Sequence, residues 1–464
     1  MKYRYCDEWF MYSPEVCQQA RKSRDHRFDG LFFVAVKSTG IYCRPICPAP
    51  TAHEKNVAYY EHAYHAAEAG FRPCIRCRPD SAPGSYAWLG VETTAVRAKK
   101  LIDEGVLSGI SVKRLADRLG ISQRYLNTLF KKYYGTSPKQ YGLYKQCDLA
   151  KQLLQQTHLP VSQVAFASGF NSLRRFNDAF AKLFLLSPSQ FRKERHISDT
   201  PITLSMAFRP PYNWAALHKF LSVRLIEPIE WLTELSYGRT FSLLGYSGSF
   251  TAHFDETCHN FKVEINISDI RGLHLIVANI RRVLDLDADP DFINHHLTQS
   301  LPADTALVKG LRLPGIWDPF EAGIRAVLGQ QVSVKAAKNL LCKLVEHKGG
   351  KSDYAEALFP DAESLQFCDF DFFKMPGARK KALQSLAQYY VQHPDNDNLD
   401  TWLTIKGIGP WTVDYAKMRG QSNPDIYLAG DLGVKKAFTS FGNIDTDKCA
   451  PFRSYLTFQL WSTL

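Results

Sequence analysis

The 464-residue sequence has no uninterrupted apolar run of membrane-spanning length, and its first ten residues, MKYRYCDEWF, lack the apolar region of a secretory signal. These absences predict a soluble, cytoplasmic protein with no membrane partner, which we expect to be a monomer. The eleven cysteines are then expected to be metal ligands or buried thiols before disulfides. A chain of this length is too long for one core, which indicates three or four domains.

The formal net charge of +11 is unevenly distributed along the chain. Residues 1–200 contain 30 Lys and Arg against 17 Asp and Glu, whereas residues 201–464 contain 27 against 29, so the net charges are +13 and −2. An excess of basic residues favours binding to a polyanion. The alternative is a solvated basic surface that binds no nucleic acid, which has the same composition. The N-terminal part is therefore the stronger candidate for binding nucleic acid.

Residues 403–431 combine a glycine turn with a single carboxylate. Lys406, Gly407 and Gly409 belong to the sequence KGIGP, whose two glycines expose backbone N–H groups at the start of a predicted helix, an arrangement that suits a phosphate. An ordinary tight turn is the alternative. Asp431 ends the sequence YLAGD just before a second predicted helix, LGVKKAFTSFG. Because cleavage of an N-glycosidic bond builds positive charge on the sugar, a fixed carboxylate here can stabilise it.

This combination resembles the helix-hairpin-helix DNA glycosylases, and the sequence GPWT at 409–412 is similar to the AlkA-type members that act on alkylated bases. The resemblance covers nearly all of residues 205–464. It implies that Asp431 is catalytic, that Trp411, Tyr415 and Trp461 form the base pocket, and that a monovalent cation at the hairpin is a candidate ligand. Lyase-competent members carry a lysine where this chain has Trp411, so no Schiff base is expected. The aromatic face instead suits an electron-poor alkylated base.

Two positions depart from the AlkA-type pattern. Gln331 stands where an apolar residue wedges into the DNA duplex, and glutamine can fill the gap and hydrogen-bond the orphaned base. Gly430 stands where the family has a second Asp, so Asp431 is expected to carry the negative charge alone. No cysteine-rich tail follows, and an iron–sulfur cluster is therefore not expected.

Four cysteines in two short motifs form a second candidate site. Cys43 and Cys47 are spaced Cys-x3-Cys, and Cys74 and Cys77 are spaced Cys-x2-Cys. Each pair can place two sulfurs on one tetrahedral metal ion, and four thiolates select zinc. Four unrelated buried cysteines are the alternative. The sequence thus predicts one Zn²⁺ held by four cysteines.

The surrounding sequences, GIYCRP and GFRPCIRCRP, resemble the N-terminal zinc domain of Ada-type methylphosphotriester repair proteins. The resemblance implies that Cys43 accepts the methyl group stoichiometrically, since zinc keeps the thiol as a nucleophilic thiolate. Methylation removes one negative charge from the site, which predicts tighter DNA binding afterwards. The arginines expected to hold phosphates of the damaged strand are Arg44, Arg72, Arg76 and Arg78. The Pro-Cys-His-Arg core of a second methyltransferase domain is absent, so base O-methyl repair is not expected.

Between these two sites, a pattern of helix, glycine turn and helix occurs twice. Gly120 and Gly169 are 49 residues apart, and Phe130 and Phe180 are 50 apart. Paired units that end in Ser-Pro-x-x-Phe/Tyr resemble the AraC-type DNA-binding domain; a helical bundle with small-residue turns is the alternative. The resemblance implies that the second helix of each unit faces the major groove. The residues that open these helices are Gln123, Arg124, Asn171, Arg174 and Arg175.

Together these patterns predict a multidomain α+β protein. The expected domains are a small zinc-bound α/β domain at 1–85, an all-α double helix-turn-helix domain at 86–196, a small α+β domain at 203–300 and a mostly α-helical helix-hairpin-helix glycosylase domain at 301–464. The predicted function is DNA alkylation repair and its regulation on damaged and promoter DNA, with hydrolytic excision of bases of the 3-methyladenine and 7-methylguanine class and with RNA polymerase as a further partner. The alternative is a transcription activator whose C-terminal half binds DNA without catalysis.

Overall fold

The computed structural model describes residues 12–25, 28–74, 76–77, 79, 91–192, 202–302, 305–394, 396–438 and 444–463. The chain forms two compact units, the first comprising 1–100 and 116–137 and the second comprising 101–115 and 138–464. The predicted fold class is confirmed, since a small sheet domain, helix-turn-helix units and a mostly helical C-terminal region all occur. The boundaries of the two units fall inside the predicted helix-turn-helix domain at 86–196. The limits of the four predicted domains therefore stay a prediction. In the described ranges no helix is both long and apolar enough to cross a bilayer.

The first unit contains a four-stranded sheet of order β3-β1-β2-β4. Its elements are α1 (Pro14–Ser23), β1 (Phe33–Val36), β2 (Ile41–Cys43), β3 (Val57–Tyr60), α2 (Ala63–Glu68) and β4 (Arg72–Pro73). Strands β2 and β4 are parallel, with Tyr42 opposite Pro73. Because parallel strands in this register end side by side, the pairing brings Cys43 and Cys74 to the same edge of the sheet.

The helix-turn-helix region is entirely helical where the structure describes it. Its helices are α3 (Val91–Asp103), α4 (Val112–Arg118), α5 (Gln123–Tyr134), α6 (Pro138–Gln156), α7 (Val161–Ala167), α8 (Leu173–Phe184) and α9 (Pro188–Phe191). Gly120 and Gly169, the two predicted turn glycines, have φ of 70° and 85°, a left-handed conformation that glycine adopts at no steric cost. Ser122 and Ser172 cap α5 and α8, accepting hydrogen bonds from the third residue beyond each cap.

The second unit contains a five-stranded antiparallel sheet of order β5-β9-β8-β7-β6. Its elements are β5 (Ile202–Ala207), α10 (Trp214–Ser222), β6 (Glu230–Thr233), β7 (Ser236–Leu243), β8 (Tyr246–Asp255), β9 (Asn260–Ile267) and α11 (Leu273–Val283). The alternating sequence FKVEINISD at 261–269 predicts a strand and the apolar sequence LHLIVANIRRVLDL at 273–286 predicts a helix, and the structure has β9 and α11 in these places. The polar sequence ISDTPITL at 197–204 predicts a linker, which is wrong from Ile202 onward, because this part is strand and Leu204 pairs with Val263 of β9.

The remaining elements form the mostly helical C-terminal region. They are α12 (Pro290–Ser300), α13 (Pro319–Gly329), α14 (Val334–Lys348), β10 (Gly350–Ser352), β11 (Ala355–Leu358), α15 (Ala362–Leu365), α16 (Gly377–Gln392), α17 (Pro410–Tyr415), α18 (Leu432–Phe438) and α19 (Arg453–Ser462). Short 3₁₀ helices lie at Glu54–Asn56, Val106–Ser108, Ile270–Gly272, Leu399–Thr404 and Thr446–Cys449, and a π-helical turn lies at Ala416–Gly420. Helix α13 is buried along most of its length and is the centre of this region.

A buried ion-pair network connects the sheet to α13. Arg239 of β7 pairs with Glu321 at 2.8 Å, and Arg325 pairs with Glu230 of β6 at 2.8 Å. Two carboxylates balance two guanidinium groups, so the network leaves no uncompensated charge in the core. It therefore fixes the α+β part and the helical part against each other around the cavity described below.

The second helix-turn-helix unit shares its hydrophobic core with the five-stranded sheet. Phe176 and Phe180 of α8 belong to one continuous cluster with Leu204 and with residues of β7 to β9. Backbone groups of Ser205 are also bonded to α6, since Ser205 N donates to Gln156 Oε1 at 2.8 Å and Ser205 O accepts from Gln152 Nε2 at 2.8 Å. This helix-turn-helix unit is therefore packed as part of the same body as the sheet.

Candidate functional site

The structure gathers the four predicted metal ligands into one cluster. The sulfur atoms of Cys43, Cys47, Cys74 and Cys77 all lie within 4.8 Å of one another. The sulfurs of Cys47 and Cys74 are 3.9 Å apart. Tetrahedral zinc with Zn–S bonds of about 2.3 Å separates its sulfurs by about 3.8 Å. The cluster thus has the donor set and the size of a zinc site.

The electrostatics of the cluster also favour a cation. Hydrogen bonds from Cys43 and Cys77 lower the pKa of the Cys47 thiol below its ordinary value. Its hydrogen bond to Cys47, together with burial, raises the pKa of Cys43 above its ordinary value. One thiolate therefore opposes ionisation of the next, and a bound cation would stabilise them together. Cys43 is half-buried, whereas the other three are buried, so it is the ligand most open to a substrate.

Arg44 is a component of this site rather than a free surface cation. Its side chain is 6% exposed, its Nε donates to Asp29 Oδ1 at 2.7 Å and its Nη1 donates to the Cys77 carbonyl at 3.2 Å. Its backbone N–H also donates to the Cys77 sulfur at 3.3 Å. These bonds position the sulfur ligands. The expected phosphate contact by Arg44 stays a prediction that this burial does not favour.

The other arginines near the cluster are placed differently. Arg72 and Arg76 are exposed, as a phosphate contact requires, and their role stays a prediction. Arg78 lies outside the described residues. Asp29, the partner of Arg44, was not identified from the sequence, because nothing in the local pattern links it to a residue fifteen positions away.

Metal content gives a direct test of this site. We expect purified protein to contain one zinc per chain by elemental analysis. Cys74→Ser should lose that zinc, because three thiolates and one hydroxyl hold the ion more weakly. Cys342→Ser, at a half-buried cysteine far along the chain, is the matched control and should keep one zinc. Full zinc content in the Cys74 variant would contradict the four-ligand assignment.

The predicted hairpin lies between the 3₁₀ helix Leu399–Thr404 and α17. Gly407 has a φ of 93°, and a Cβ added there would lie 2.8 Å from the Cβ of Ala382. Both the backbone conformation and the close packing therefore require glycine. Lys406 is exposed and Gly409 is the N-cap of α17. Phosphate and cation binding at this turn stay predictions.

Asp431 is held by three hydrogen-bond donors. Its Oδ1 accepts from the backbone N–H of Val434 at 3.0 Å and from Trp461 Nε1 at 3.0 Å, and its Oδ2 accepts from Trp411 Nε1 at 3.3 Å. Asp431 thus caps α18 while two indoles fix the plane of the carboxylate. A charge held in this way is preorganised for a reaction that develops positive charge beside it.

Asp431 opens onto a cavity of about 1780 Å³ that contains all three predicted aromatic residues. Trp411 stacks on Tyr415 with ring centroids 5.4 Å apart. Trp461 lies nearly parallel to Phe220, with centroids 6.2 Å apart. Phe220 was missed from the sequence because it belongs to the apolar helix α10, where it has the pattern of a core residue.

Two arginines that the sequence did not reveal also line the cavity. The guanidinium carbon of Arg224 lies 4.0 Å from the ring centroid of Phe220, and that of Arg419 lies 5.8 Å from the centroid of Tyr415. Burial lowers the pKa of Arg419 to about 10. Within the described ranges, neither arginine forms an ion pair. One basic residue among mostly apolar neighbours does not indicate from the sequence that its side chain lines a cavity.

The predicted wedge residue Gln331 lies on the turn between α13 and α14, at the mouth of the cavity. It is exposed and has a φ of 55°, a left-handed conformation uncommon for glutamine. The preceding Gln330 donates through Nε2 to the Gly407 carbonyl at 3.3 Å and to Thr412 Oγ1 at 3.2 Å. The turn is therefore fixed to the hairpin. Insertion of Gln331 into DNA stays a prediction.

The predicted major-groove residues lie at helix starts. Gln123 and Arg124 are exposed at the first turn of α5, and Arg174 and Arg175 are exposed at the first turn of α8. Asn171 is also exposed, and its Nδ2 donates to the Ser108 carbonyl at 3.3 Å. Their contacts with bases stay predictions.

Comparisons with known proteins agree with this arrangement. Family models match for the metal binding domain of Ada at residues 16–80, a helix-turn-helix domain at 115–194 and the AlkA N-terminal domain at 203–318. The match at 16–80, together with the four-sulfur cluster, confirms the predicted zinc ion.

Curated relatives match both the whole chain and its parts. A probable bifunctional transcriptional activator/DNA repair enzyme AlkA of Mycobacterium tuberculosis is 34% identical over 481 residues, 97% of this chain and 96% of the relative. DNA-3-methyladenine glycosylase 2 of Escherichia coli is 31% identical over 56% of this chain and 96% of its own. The bifunctional transcriptional activator/DNA repair enzyme Ada of Escherichia coli is 40% identical over 26% of this chain and 33% of its own.

Proposed function

Since the chain belongs to the family of bifunctional transcriptional activator/DNA repair enzymes that combine Ada-type and AlkA-type domains, we propose that it excises alkylated bases from double-stranded DNA and accepts methyl groups from DNA methylphosphotriesters. The observation that carries the first activity is the carboxylate of Asp431, fixed by Trp411 and Trp461 inside an aromatic cavity. The alternative, a C-terminal half that only binds DNA, is not favoured, because it gives this carboxylate no role.

Base excision follows from the geometry of the cavity. A flipped alkylated base stacks on the aromatic walls, which places its sugar beside Asp431. The bond between C1′ and the base nitrogen breaks, its electron pair leaves with the base, and the carboxylate stabilises the positive charge that develops on the sugar. Water then adds to C1′ and releases one proton to the solvent. Because Trp411 supplies no amine, no Schiff base forms and the strand stays intact at an abasic site.

The test of this activity is release of 3-methyladenine or 7-methylguanine from a duplex with one lesion. Alkali should be needed to break the strand after excision. Strand breaks without alkali would contradict a monofunctional hydrolytic mechanism, and the absence of any release would contradict the glycosylase assignment itself.

Methyl transfer is assigned to Cys43, the half-buried member of the four-sulfur cluster. Bound zinc supplies the stabilisation that keeps the sulfur a thiolate at neutral pH. The Cys43 sulfur attacks the methyl carbon of the phosphotriester, the carbon–oxygen bond breaks, and a phosphodiester anion leaves with the electron pair. The thioether that forms has no route back, so each chain reacts once. Arg44 holds the neighbouring Cys77 and thereby keeps the cluster in place.

Regulation follows from the change of charge at the metal site. Methylation of Cys43 removes one negative charge close to the DNA backbone, and the helix-turn-helix helices then bind promoter DNA more tightly. We include in this proposal contact with RNA polymerase, a monomeric state and action in the cytoplasm.

The charge change predicts a measurable gain in affinity. Two unit charges about 4 Å apart interact by about 1 kcal/mol in water, so methylated protein should bind a promoter duplex roughly fivefold more tightly. Fluorescence anisotropy at one fixed salt concentration measures this ratio. Protein treated with an undamaged oligonucleotide is the control, and equal dissociation constants would remove the charge argument.

A further inference from the structure

The second helix-turn-helix unit, formed by α6 to α9, contacts the glycosylase part of the chain in two places. Helix α6 packs on β5, where Gln152 and Gln156 bond the two backbone groups of Ser205. Helix α7 packs on the 3₁₀ helix Ile270–Gly272, which leads directly into α11. Because the two contacts are made by different helices, they restrain rotation of the unit as well as its separation from the sheet.

The turn glycines of the two helix-turn-helix units differ in what surrounds them. Both have left-handed backbones, with φ of 70° at Gly120 and 85° at Gly169. A Cβ added at Gly120 would have no atom of the described residues within 4 Å, whereas one added at Gly169 would lie 2.4 Å from Ser108 Oγ and 3.2 Å from His274 Cδ2. Gln146 Nε2 also donates to the Gly169 carbonyl at 2.7 Å. The second turn is therefore enclosed at the start of α11, while the first turn is open.

The packing continues from α8 to the base pocket. Phe176 of α8 belongs to the same hydrophobic cluster as Trp317, which lies two residues before α13 begins. Helix α13 ends at its C-cap Gln330, whose side chain bonds to the hairpin and to α17. Trp411 of α17 then donates to Asp431. Helix α8 and the catalytic carboxylate are therefore held within one compact unit.

A fixed connection between a DNA-reading helix and a base pocket restricts which bases the pocket can reach. DNA is stiff over tens of base pairs, because its persistence length is about 150 base pairs. A rigid protein that holds one sequence with α8 reaches a second site on the same duplex only where that site faces the cavity, which recurs about every 10.5 base pairs. A flexible tether instead reaches every face of the duplex, and its effective concentration changes smoothly with spacing.

We propose that the second helix-turn-helix unit is a targeting element for base excision, which directs the cavity to damaged bases on one face of the DNA beside the sequence that α8 binds. The inference rests on the proposed excision and on the proposed promoter binding. It goes beyond both, because it makes DNA next to the bound promoter sequence a preferred substrate. Arg174 and Arg175, exposed at the first turn of α8, hold the sequence, and Asp431 acts at the lesion.

The experiment varies the spacing between a binding sequence and one 7-methylguanine in constant flanking sequence, in steps of one base pair over about two helical turns. The binding sequence is selected from random duplexes with the whole chain. Single-turnover excision is measured at a protein concentration too low to saturate the same duplex without the binding sequence. The rate should rise and fall with a period of about 10.5 base pairs. At the best spacing it should exceed the rate on the duplex without the binding sequence by roughly tenfold or more, since linking two binding sites raises avidity by roughly 10² to 10⁴.

Two glycine variants form a matched pair for this experiment. Gly120→Ala and Gly169→Ala each place a side chain on a left-handed backbone and carry the same kind of backbone strain. Only Gly169→Ala also forces contacts with Ser108 and His274. At equal occupancy of the binding sequence, the periodic change in rate should weaken in Gly169→Ala and persist in Gly120→Ala, while thermal melting checks that both are folded. Arg175→Ala, which alters the exposed face of α8 and not its packing, should flatten the dependence on spacing.

The possible results separate the inference from the functions on which it rests. A rate that declines smoothly with spacing would show a flexible tether, and rates at or below that of the duplex without the binding sequence at every spacing would show that α8 and the cavity do not share one duplex. Either result overturns the targeting role and leaves base excision standing. No release of 7-methylguanine from any duplex would reject the glycosylase function itself, and failure to select any binding sequence would reject promoter binding, each with the inference.

Discussion

Asp431→Asn should lower the rate of 3-methyladenine or 7-methylguanine excision by a few hundredfold while damaged DNA is still bound. Asparagine keeps the shape of the side chain and removes its charge. If one preorganised charge contributes about 3 to 4 kcal/mol to the transition state, the loss is on the order of a few hundredfold. Single-turnover excision on a duplex with one lesion measures it.

The structure supplies a matched control for this variant. Asp361 is also an aspartate that caps a helix, accepting from the Ser364 N–H at 2.8 Å, but it is exposed and does not line the cavity. Asparagine is as good a helix cap as aspartate. Asp361→Asn should therefore excise at the wild-type rate. Full activity in Asp431→Asn would show that the carboxylate is not the catalytic charge.

The aromatic walls should contribute more to cationic bases than to neutral ones. Trp411 and Trp461 also donate to Asp431, so leucine at either position removes both a stacking face and a hydrogen bond to the carboxylate. Phenylalanine keeps a stacking face and removes only the donor. Comparison of the two substitutions on one cationic and one neutral lesion separates the two roles, since only the loss of stacking depends on base charge.

Cys43→Ala should abolish methyl transfer from a methylphosphotriester oligonucleotide, from one methyl group per chain to none. No other sulfur of the cluster is as accessible, and alanine offers no nucleophile. Transfer of a labelled methyl group to protein, counted per chain, measures the effect. Cys342→Ala is the control, because this cysteine lies outside the cluster and should leave transfer complete.

Loss of the metal is the competing explanation for an inactive Cys43 variant, and zinc analysis of the same sample separates the two. Zinc retained in Cys43→Ala without transfer identifies Cys43 as the acceptor. Transfer by this variant at the wild-type level would end the assignment.

The local spacing of residues in the sequence was enough to predict several features of this protein. The Cys-x3-Cys and Cys-x2-Cys pairs predicted a tetrahedral zinc site, since two ligands three or four residues apart reach one ion whatever the rest of the chain does. The glycine at 407 predicted a turn, because few other residues adopt its backbone conformation. Asp431 was located by its place before a helix. Alternating apolar residues predicted β9.

Other features of the sites depend on tertiary structure alone. Phe220 lies near the end of α10 and Arg224 just after it, more than two hundred residues before Asp431, and only packing of the α+β part on the helical region brings them to the cavity. Asp29 reaches Arg44 because the first unit folds around the cluster. Ile202 joins a strand because β9 offers an unpaired edge. Sequence patterns report short-range periodicity and spacing, whereas pocket walls and buried charges depend on contacts between distant segments, which no local pattern encodes.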